Sequence, residues 1–544
     1  MSKLMINTIL YNARIVTLDE RHPHGTVTAL AIRDGKIAAL GSDSEILPLA
    51  TVGTKKHDLH GLVVIPGLID AHVHWKWTAE SLHQVQLYGT RNIREAVDRV
   101  AAMAAKLPPG EWVQGYGWSQ DTWEEHRFPT TADLDALVPD RPVFLRSRSG
   151  HAAWVNSLAL RLCGIDASTP DVIEAEIQRD ATGEPTGILI EWNAMNLVAD
   201  RIPTPTTAQT ADQMRKAQGM AYAMGVTGIH DFDNQDCLAA LQVMRERGEL
   251  GLRVLKQINK GFLDSLLHMG LRTGFGDNWL RLGNLKLFAD GAIGAHSAYM
   301  FEPYIGEPDN YGIVVVGKEE MLELASRAST HGFATTIHAI GDRAVHDVLD
   351  VFEHVRGEEL ARGIPRSTRR HRIEHVQVIH PSDVDRLAEL TIIASTQPIH
   401  ATSDYPIADA VWGADRCAYA YNPRLQLDRG VTVCFGSDSP CDEFGALKGI
   451  HAAVTRRRPD GTPGPEGWYP QAKVSVDEAL KAYTVGAAYA AGLEGIQGKL
   501  APGYLADLAV IDRDLYALPG DEILDVNVCG TMVDGGWRYG EWMG

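Results

Sequence analysis

The sequence predicts an α/β protein built on a (β/α)8 barrel, with a small β-domain assembled from both ends of the chain. Three observations predict it. The middle alternates short apolar runs with helical stretches, the pattern of repeated β-α units around a parallel sheet. Both ends read instead as short strands joined by Asp-Gly turns. Polar, ligand-type residues stand where several central apolar runs finish, and a parallel barrel gathers its strand C-termini on one face.

Taken in order, the first strands are TILYNARIVTLD and VTALAIRDGKIAALG, where Asp34-Gly35 joins Ile32-Arg33 to Lys36-Ile37. Nine central runs follow: LVVIPGLIDAHVH, ending near His74, RPVFLRS from Arg141, GVTGIHDF from Gly225, LRVLKQI, NLKLFADG from Asn284, ATTIHAIGD from Ala334, RRHRIEHVQ from Arg369, TIIASTQP from Thr391 and VTVCFGSDSP from Val431. A barrel needs eight, so one belongs elsewhere. Helical patterns lie between them, such as IREAVDRVAAMAAKL from Ile93 and EEMLELASRASTHG from Glu319. The stretch from about Leu87 to Asp200 is too long for one β-α unit and reads as an inserted subdomain or lid. ADLAVID from Ala506 and NVCGTMVDGGWRYG from Asn527, with a turn at Asp534-Gly535-Gly536, close the chain as strands. The expected division is 1–65 plus 495–544 for the β-domain and 66–494 for the barrel, interrupted around 87–200.

Composition narrows the function. Of 544 residues, 45% are hydrophobic and 22% charged, which suits a large core rather than disorder. A net charge of −19 repels phosphate backbones, so nucleic acid is not an expected partner. Six cysteines form no C-x-x-C pair and fit a reducing cytoplasm. No run of 18 apolar residues and no signal-type h-region occurs, so neither membrane insertion nor a membrane partner is expected. A small molecule is the expected partner; homo-oligomerisation is left open.

The strongest local signal is His72-Val73-His74 after an apolar strand. Residues two apart on a strand project from one face, so both imidazoles can reach one ion. His338 in TTIHAIGD, His375 in RIEHVQ and Asp438 in VCFGSDSP repeat the form at other strand ends. Singly, each has a plainer reading as a hydrogen-bonded structural group or a turn; four in register with a β/α alternation point to a shared site. Lys286, flanked by Leu285 and Leu287, carries a desolvation cost as an ammonium ion. Its two readings are an ion pair, with Asp290 as the partner, and a carbamate formed with carbon dioxide that offers oxygen to metal. His230 ends the strand GVTGIHDF and reads equally as a structural donor. Trp118, Asp121 and Trp123 read either as an aromatic wall for substrate or as anchors of a packed lid.

The motifs PGLIDAHVHW, SGHAAWVNSLAL, LKLFADGAIGAHSA, IHAIGD, RIEHVQ, FGSDSP and GKLAPGYLADLAV span nearly the whole chain. In them the sequence resembles the amidohydrolase superfamily, and in detail the family-3 branch that includes N-substituted formamide deformylases. The resemblance implies a metal-bearing TIM-type barrel and a composite β-sandwich from the two ends. It implies that His72 and His74 hold one ion and His338 and His375 another, bridged by carbamylated Lys286. Asp438 would bind the first ion and handle protons. His151 matches the branch's G-H-x-x-x-x-N-S element and would donate to a carbonyl oxygen as a second catalytic group. GAIGAHSA departs from the branch's serine-rich run after Asp-Gly, which puts His296 in question. The implied cofactors are one or two divalent ions, zinc first, with manganese and iron as alternatives, and carbon dioxide as the lysine carbamate. The implied reaction is hydrolysis of a non-peptide C–N bond, as in a linear N-substituted formamide. Alternatives are a cyclic amide, an aminated heterocycle undergoing deamination, and a non-catalytic barrel scaffold.

Overall fold

The computed structural model describes residues 5–108, 110–120, 123–147, 152–170, 172–173 and 175–542. The chain divides into two compact units, Met1–Lys76 with Met214–Gly544, and Trp77–Gln213.

The first unit is dominated by eight strands, each parallel to the next: β1 (Leu68–Val73), β2 (Val226–Asp231), β3 (Arg253–Asn259), β4 (Leu280–Phe288), β5 (Thr335–Ala339), β6 (Arg372–His375), β7 (Ile393–Thr396) and β8 (Val433–Phe435). Past the strand ends, the two edges of the sheet meet. Asp438 N–H donates to His72 O at 2.8 Å and His74 N–H to Ser439 O at 2.9 Å. Gly436 permits this approach, since a Cβ there would lie 2.4 Å from His72 N. Helices return the chain between strands, among them Gln235–Glu246, Lys318–Thr330 and Asp342–Ala361, and Ala446–Thr455 follows β8. Lys318–Thr330, predicted from Glu319, buries Met321, Ala325 and Ala328 at helical spacing.

Eight of the nine predicted runs supply this sheet. The surplus one, RPVFLRS, forms Val143–Ser147 in a six-stranded sheet of the other unit. LVVIPGLIDAHVH is also two strands rather than one. It breaks at Gly67, where a Cβ would meet Thr227 Oγ1 at 2.3 Å. Val63–Pro66, before the break, pairs antiparallel with Leu508–Ile511 from the far end of the chain. Leu508–Ile511 continues to Val528–Val533 and Gly536–Gly540. A four-stranded sheet of Thr8–Tyr11, Ala29–Arg33, Lys36–Gly41 and Lys55–Asp58 accompanies it. Leu10, Ile15, Val64, Leu508, Val510 and Met532 share one core. Both Asp-Gly turns have two central residues in the left-handed region, Asp34 (φ 50°) and Gly35 (72°), Asp534 (57°) and Gly535 (73°). That is the geometry that matches the twist of flanking hairpin strands.

In the second unit, the helix Ile93–Ala104 lays Ile93, Ala96, Val97, Val100 and Ala104 on a core with Trp118, Trp123 and Trp154. The aromatic-wall reading of Trp118 and Trp123 is overturned. Both are 0% exposed, and their indole N–H groups donate to Leu145 O at 2.8 Å and Thr90 Oγ1 at 2.9 Å. They anchor a core. Asp121 lies outside the described residues. The unit begins before the predicted insertion because Val85–Gln86 pairs in its sheet with Val113–Trp118. Among the described residues, no helix is long and apolar enough to cross a membrane.

Candidate metal centre

The site grows from the C-terminal end of β1. Asp70 and His72 share a face there, and Asp70 Oδ1 accepts from the N–H of His72 (3.1 Å) and of Ser437 (3.0 Å). This ties β1 to the loop after β8. His72 Nδ1 faces Glu374 Oε2 at 2.6 Å, so Nδ1 carries the ring proton and Nε2 keeps its lone pair. That Nε2 lies 3.4 Å from Asp438 Oδ1. Phe232 stacks flat on the ring, centroid to centroid 3.8 Å. His74, two residues on, points Nδ1 toward Asp233 Oδ1 (3.4 Å) and Nε2 toward Asp438 Oδ1 (3.5 Å).

β6 contributes twice. Strand alternation sends Arg372 and Glu374 inward and would send His375 the other way. His375 has φ 75° and the next residue, Val376, 42°, so the backbone leaves the strand conformation and the alternation with it. The imidazole lies 5.0 Å from the His72 ring and 4.6 Å from the His338 ring. Its Nδ1 meets Gln397 Oε1 at 2.8 Å, leaving Nε2 free. Asp438, at φ 57°, is a third non-glycine residue held in the left-handed region here. His72, His375 and Asp438 can each offer a ligand atom, all within 4.8 Å of one another.

His338 ends β5 and donates Nε2–H to Gly291 O at 2.9 Å, leaving Nδ1 with its lone pair. Lys286 on β4 is 3% exposed, its Nζ 4.8 Å from the Phe232 ring and 4.5 Å from the Phe288 ring. Those rings touch His72 and His338 in turn. The Asp290 carboxylate accepts from the N–H groups of Tyr299, Ile340 and Gly341 at 2.8 to 3.0 Å, so it is committed to backbone rather than to Lys286.

Electrostatics fit this donor set to a divalent cation. Burial pushes His72 down to about 4, His338 to about 3 and His375 well below the usual range, so three imidazoles are neutral, the form that binds metal. Burial also lowers Lys286 to about 8. Burial opposes charge on Asp438, yet the protonated His74 beside it holds it ionised well below the carboxylate range. Burial opposes a proton on His74, but Asp233 and Asp438 raise it to about 10. The two carboxylates thus draw positive charge to this point, and a divalent ion meets the same demand.

The structure therefore brings His72, His74, His375 and Asp438 around one point, with His338 and Lys286 at its border. His151 lies outside the described residues. His230 Nδ1 takes a hydrogen bond from Arg372 Nη1 at 3.0 Å and is a structural acceptor. His296 is a loop anchor, with Nδ1 2.5 Å from Glu307 Oε1 and its ring stacked on Tyr304. Sequence reasoning misses Glu374, Asp233, Gln397 and His400, whose Nε2 lies 3.7 Å from Asp438 Oδ2. For Glu374 a signal exists: Arg372 and Glu374 at period two put opposite charges on the inner face of an apolar barrel strand.

Comparison with known proteins adds the family. The amidohydrolase family model matches residues 56–539. The chain is 30% identical to N-substituted formamide deformylase of Arthrobacter pascens, over 98% of each chain. It is 30% identical to putative amidohydrolase YtcJ of Bacillus subtilis, over 93% of this chain and 95% of that one. A solved structure, an uncharacterized metal-dependent hydrolase from Pyrococcus furiosus, superposes with TM-score 0.76 at 30% identity, covering 94% of this chain and 99% of that one. Barrel, converging ligand-type residues and full-length similarity agree: the chain belongs to the amidohydrolase family.

Proposed function

We propose that the protein hydrolyses the C–N bond of a linear amide, an N-substituted formamide being the leading substrate, at a divalent metal centre. As a family member the chain is a metal-dependent hydrolase acting on carbon–nitrogen bonds. The observation that carries the finer reading is the convergence of His72, His375 and Asp438, from three separate strand ends, within ligand distance of one another. The deformylase relative, similar over its whole length, supports the substrate class.

His72, His74, His338, His375 and Asp438 would hold the ion or ions, and Lys286, as a carbamate, would offer them oxygen; nitrogen-rich donors of this kind suit zinc. When bound, the metal supplies Lewis acidity that lowers the pKa of water to about 7 and polarises a carbonyl. Asp438, ionised and hemmed in by imidazoles, takes the proton from the attacking water. It returns that proton to the substrate nitrogen, which then leaves as an amine. Glu374 and Gln397 keep the rings of His72 and His375 turned inward while this happens. The partner is the small amide itself, and six free cysteines fit a reducing, cytoplasmic setting.

The test is a panel of N-substituted formamides, cyclic imides and aminated rings offered to zinc- or manganese-loaded protein. Formate plus amine is the expected product pair. Ammonia from a ring, or ring opening alone, would replace this reading. Asp438→Ala should lower turnover at least about a hundredfold with the fold intact, and wild-type turnover in that variant refutes its role.

A further inference from the structure

Beside the centre lies a partly open recess with room for about one water-sized group. It is lined by His375 at the end of β6 and Gln377 after it, Thr396 at the end of β7 and Gln397 after it, His400 in the helix Pro398–Val411, and Tyr421. Its walls differ in one respect. Gln377 and Tyr421 are satisfied, since Gln377 Nε2 donates to Tyr421 Oη and Tyr421 Oη donates to Asp404 Oδ2 at 2.9 Å. By contrast, Gln397 Nε2 and Thr396 Oγ1 are buried without a hydrogen-bond partner among the described residues. These two side chains are only 4% and 9% exposed.

Orphaned donors of this kind are costly in a folded protein. Gln397 cannot relieve the cost by flipping its amide. Its Oε1 is held by His375 Nδ1, whose proton must stay there if Nε2 is to face a metal. The Nε2 hydrogens are thus fixed on the side away from His375, and an amide N–H2 only donates. The complementary atom is an oxygen that accepts.

We propose that this recess is a subsite for the acyl oxygen of the substrate, or a carboxylate oxygen of the product, received by Gln397 Nε2 and Thr396 Oγ1 next to His375. The inference rests on the amide-hydrolase reading above and extends it. The neighbouring donors select compounds that keep an sp2 oxygen on the acyl side, and they assign Gln397 two tasks, orienting His375 and binding substrate.

Two variants separate those tasks. Gln397→Glu keeps the oxygen that faces His375 and replaces the N–H2 donor with an acceptor. Thr396→Val removes the hydroxyl at nearly constant shape. Metal-loaded wild type and variants are titrated with formate and with N-methylformamide, and metal content is measured alongside. We expect full metal content in both variants. Binding of N-methylformamide should weaken about fivefold in Thr396→Val and about tenfold or more in Gln397→Glu, with formate suffering more in the latter because like charges meet. Weakening for formate alone assigns the subsite to the product carboxylate; weakening for both assigns it to the shared oxygen. Unchanged affinity for both probes means that the recess holds only water, and the proposal falls. Gln397→Glu losing metal while the loaded fraction binds both probes normally also overturns it, leaving Gln397 a positioning residue. Turnover of the formamide panel by wild type is read separately, so failure of the subsite and failure of the reaction class are distinguishable.

Discussion

A metal ligand is only as good as the group behind it, and His72 shows why at the scale of single residues. Glu374 sets the His72 tautomer, and Arg372 in turn holds Glu374 as an anion while donating to Ala71 O at 2.7 Å and Ser395 Oγ at 2.9 Å. Glu374→Gln should weaken metal binding about 10- to 100-fold, measured by calorimetric titration of apoprotein whose circular dichroism is unchanged. Wild-type affinity in that variant would show that the tautomer is set elsewhere. Lys286 yields a pH prediction. Carbamate forms from the neutral amine, and burial has brought this amine to about 8. About a tenth is then neutral at pH 7, against less than a thousandth for an ordinary lysine. Activation of metal-free protein at a fixed concentration of dissolved carbon dioxide, followed by zinc, should therefore accelerate as pH rises through 8 and level off above it. A rate flat across that window excludes Lys286 as the reacting amine. Of these residues the histidines are legible in the sequence, because strand-end position and H-x-H spacing mark them. For Glu374 the spacing with Arg372 marks an inward face but not a place beside His375, since period-two reasoning sets those two on opposite faces and only the left-handed backbone at His375 brings both to one centre.

Elements are legible where local chemistry decides them and obscure where a partner far along the chain does. The Asp-Gly hairpins follow from two residues each. RPVFLRS has the composition of a barrel strand, and what makes it a member of another sheet is its pairing with Val113–Trp118 and Ala152–Val155, which no local pattern encodes. The helix Asp342–Ala361 shows how an element is pinned behind the site. Near its end, Glu359 accepts from Arg356 Nη1 (2.7 Å) and Ser329 Oγ (2.6 Å) and meets His371 Nε2 at 2.9 Å, one residue before β6. All four side chains are 2% exposed or less. Glu359→Ala leaves Arg356 a buried cation without its carboxylate and should cost about 3–5 kcal/mol, read as a lower denaturant midpoint. Burial opposes ionisation of Glu359, but its partners hold it at about 2, below its ordinary 4.5. A depressed carboxylate stabilises the fold fully above about 4.5 and loses that contribution as pH falls toward 2. The stability gap between wild type and Glu359→Ala should accordingly be widest at neutral pH and narrow below pH 4.5. A gap that is constant with pH would locate the cost in packing instead.

At the scale of the molecule, the two ends of the chain bear on a centre to which neither contributes a ligand. Val63–Pro66 pairs with Leu508–Ile511 and runs through Gly67 directly into β1, which carries His72 and leads to His74. Arg253 of β3 is gripped by Asp507 Oδ1 at 2.9 Å and Asp534 Oδ1 at 3.2 Å. Strand character at both ends is visible in the sequence; the register that joins them is not, because it depends on apolar faces meeting across the full chain length. A chain ending at Leu505 keeps every ligand-type residue of the centre. It strips the Leu508–Ile511 side from Val63–Pro66, which keeps only Arg14–Ile15, uncovers Val64 and leaves Arg253 without Asp507 and Asp534. It should bind less metal and melt lower than the full chain. Asp507→Asn separates the two effects: it keeps the strand pairing and removes one charge, so it should lower the melting temperature while metal content at saturating zinc stays at the full-chain value. Metal loss in Asp507→Asn equal to that of the truncated chain would place the coupling in the Arg253 ion pair. Full metal content in both would show that β1 holds its ligands in place without the terminal sheet.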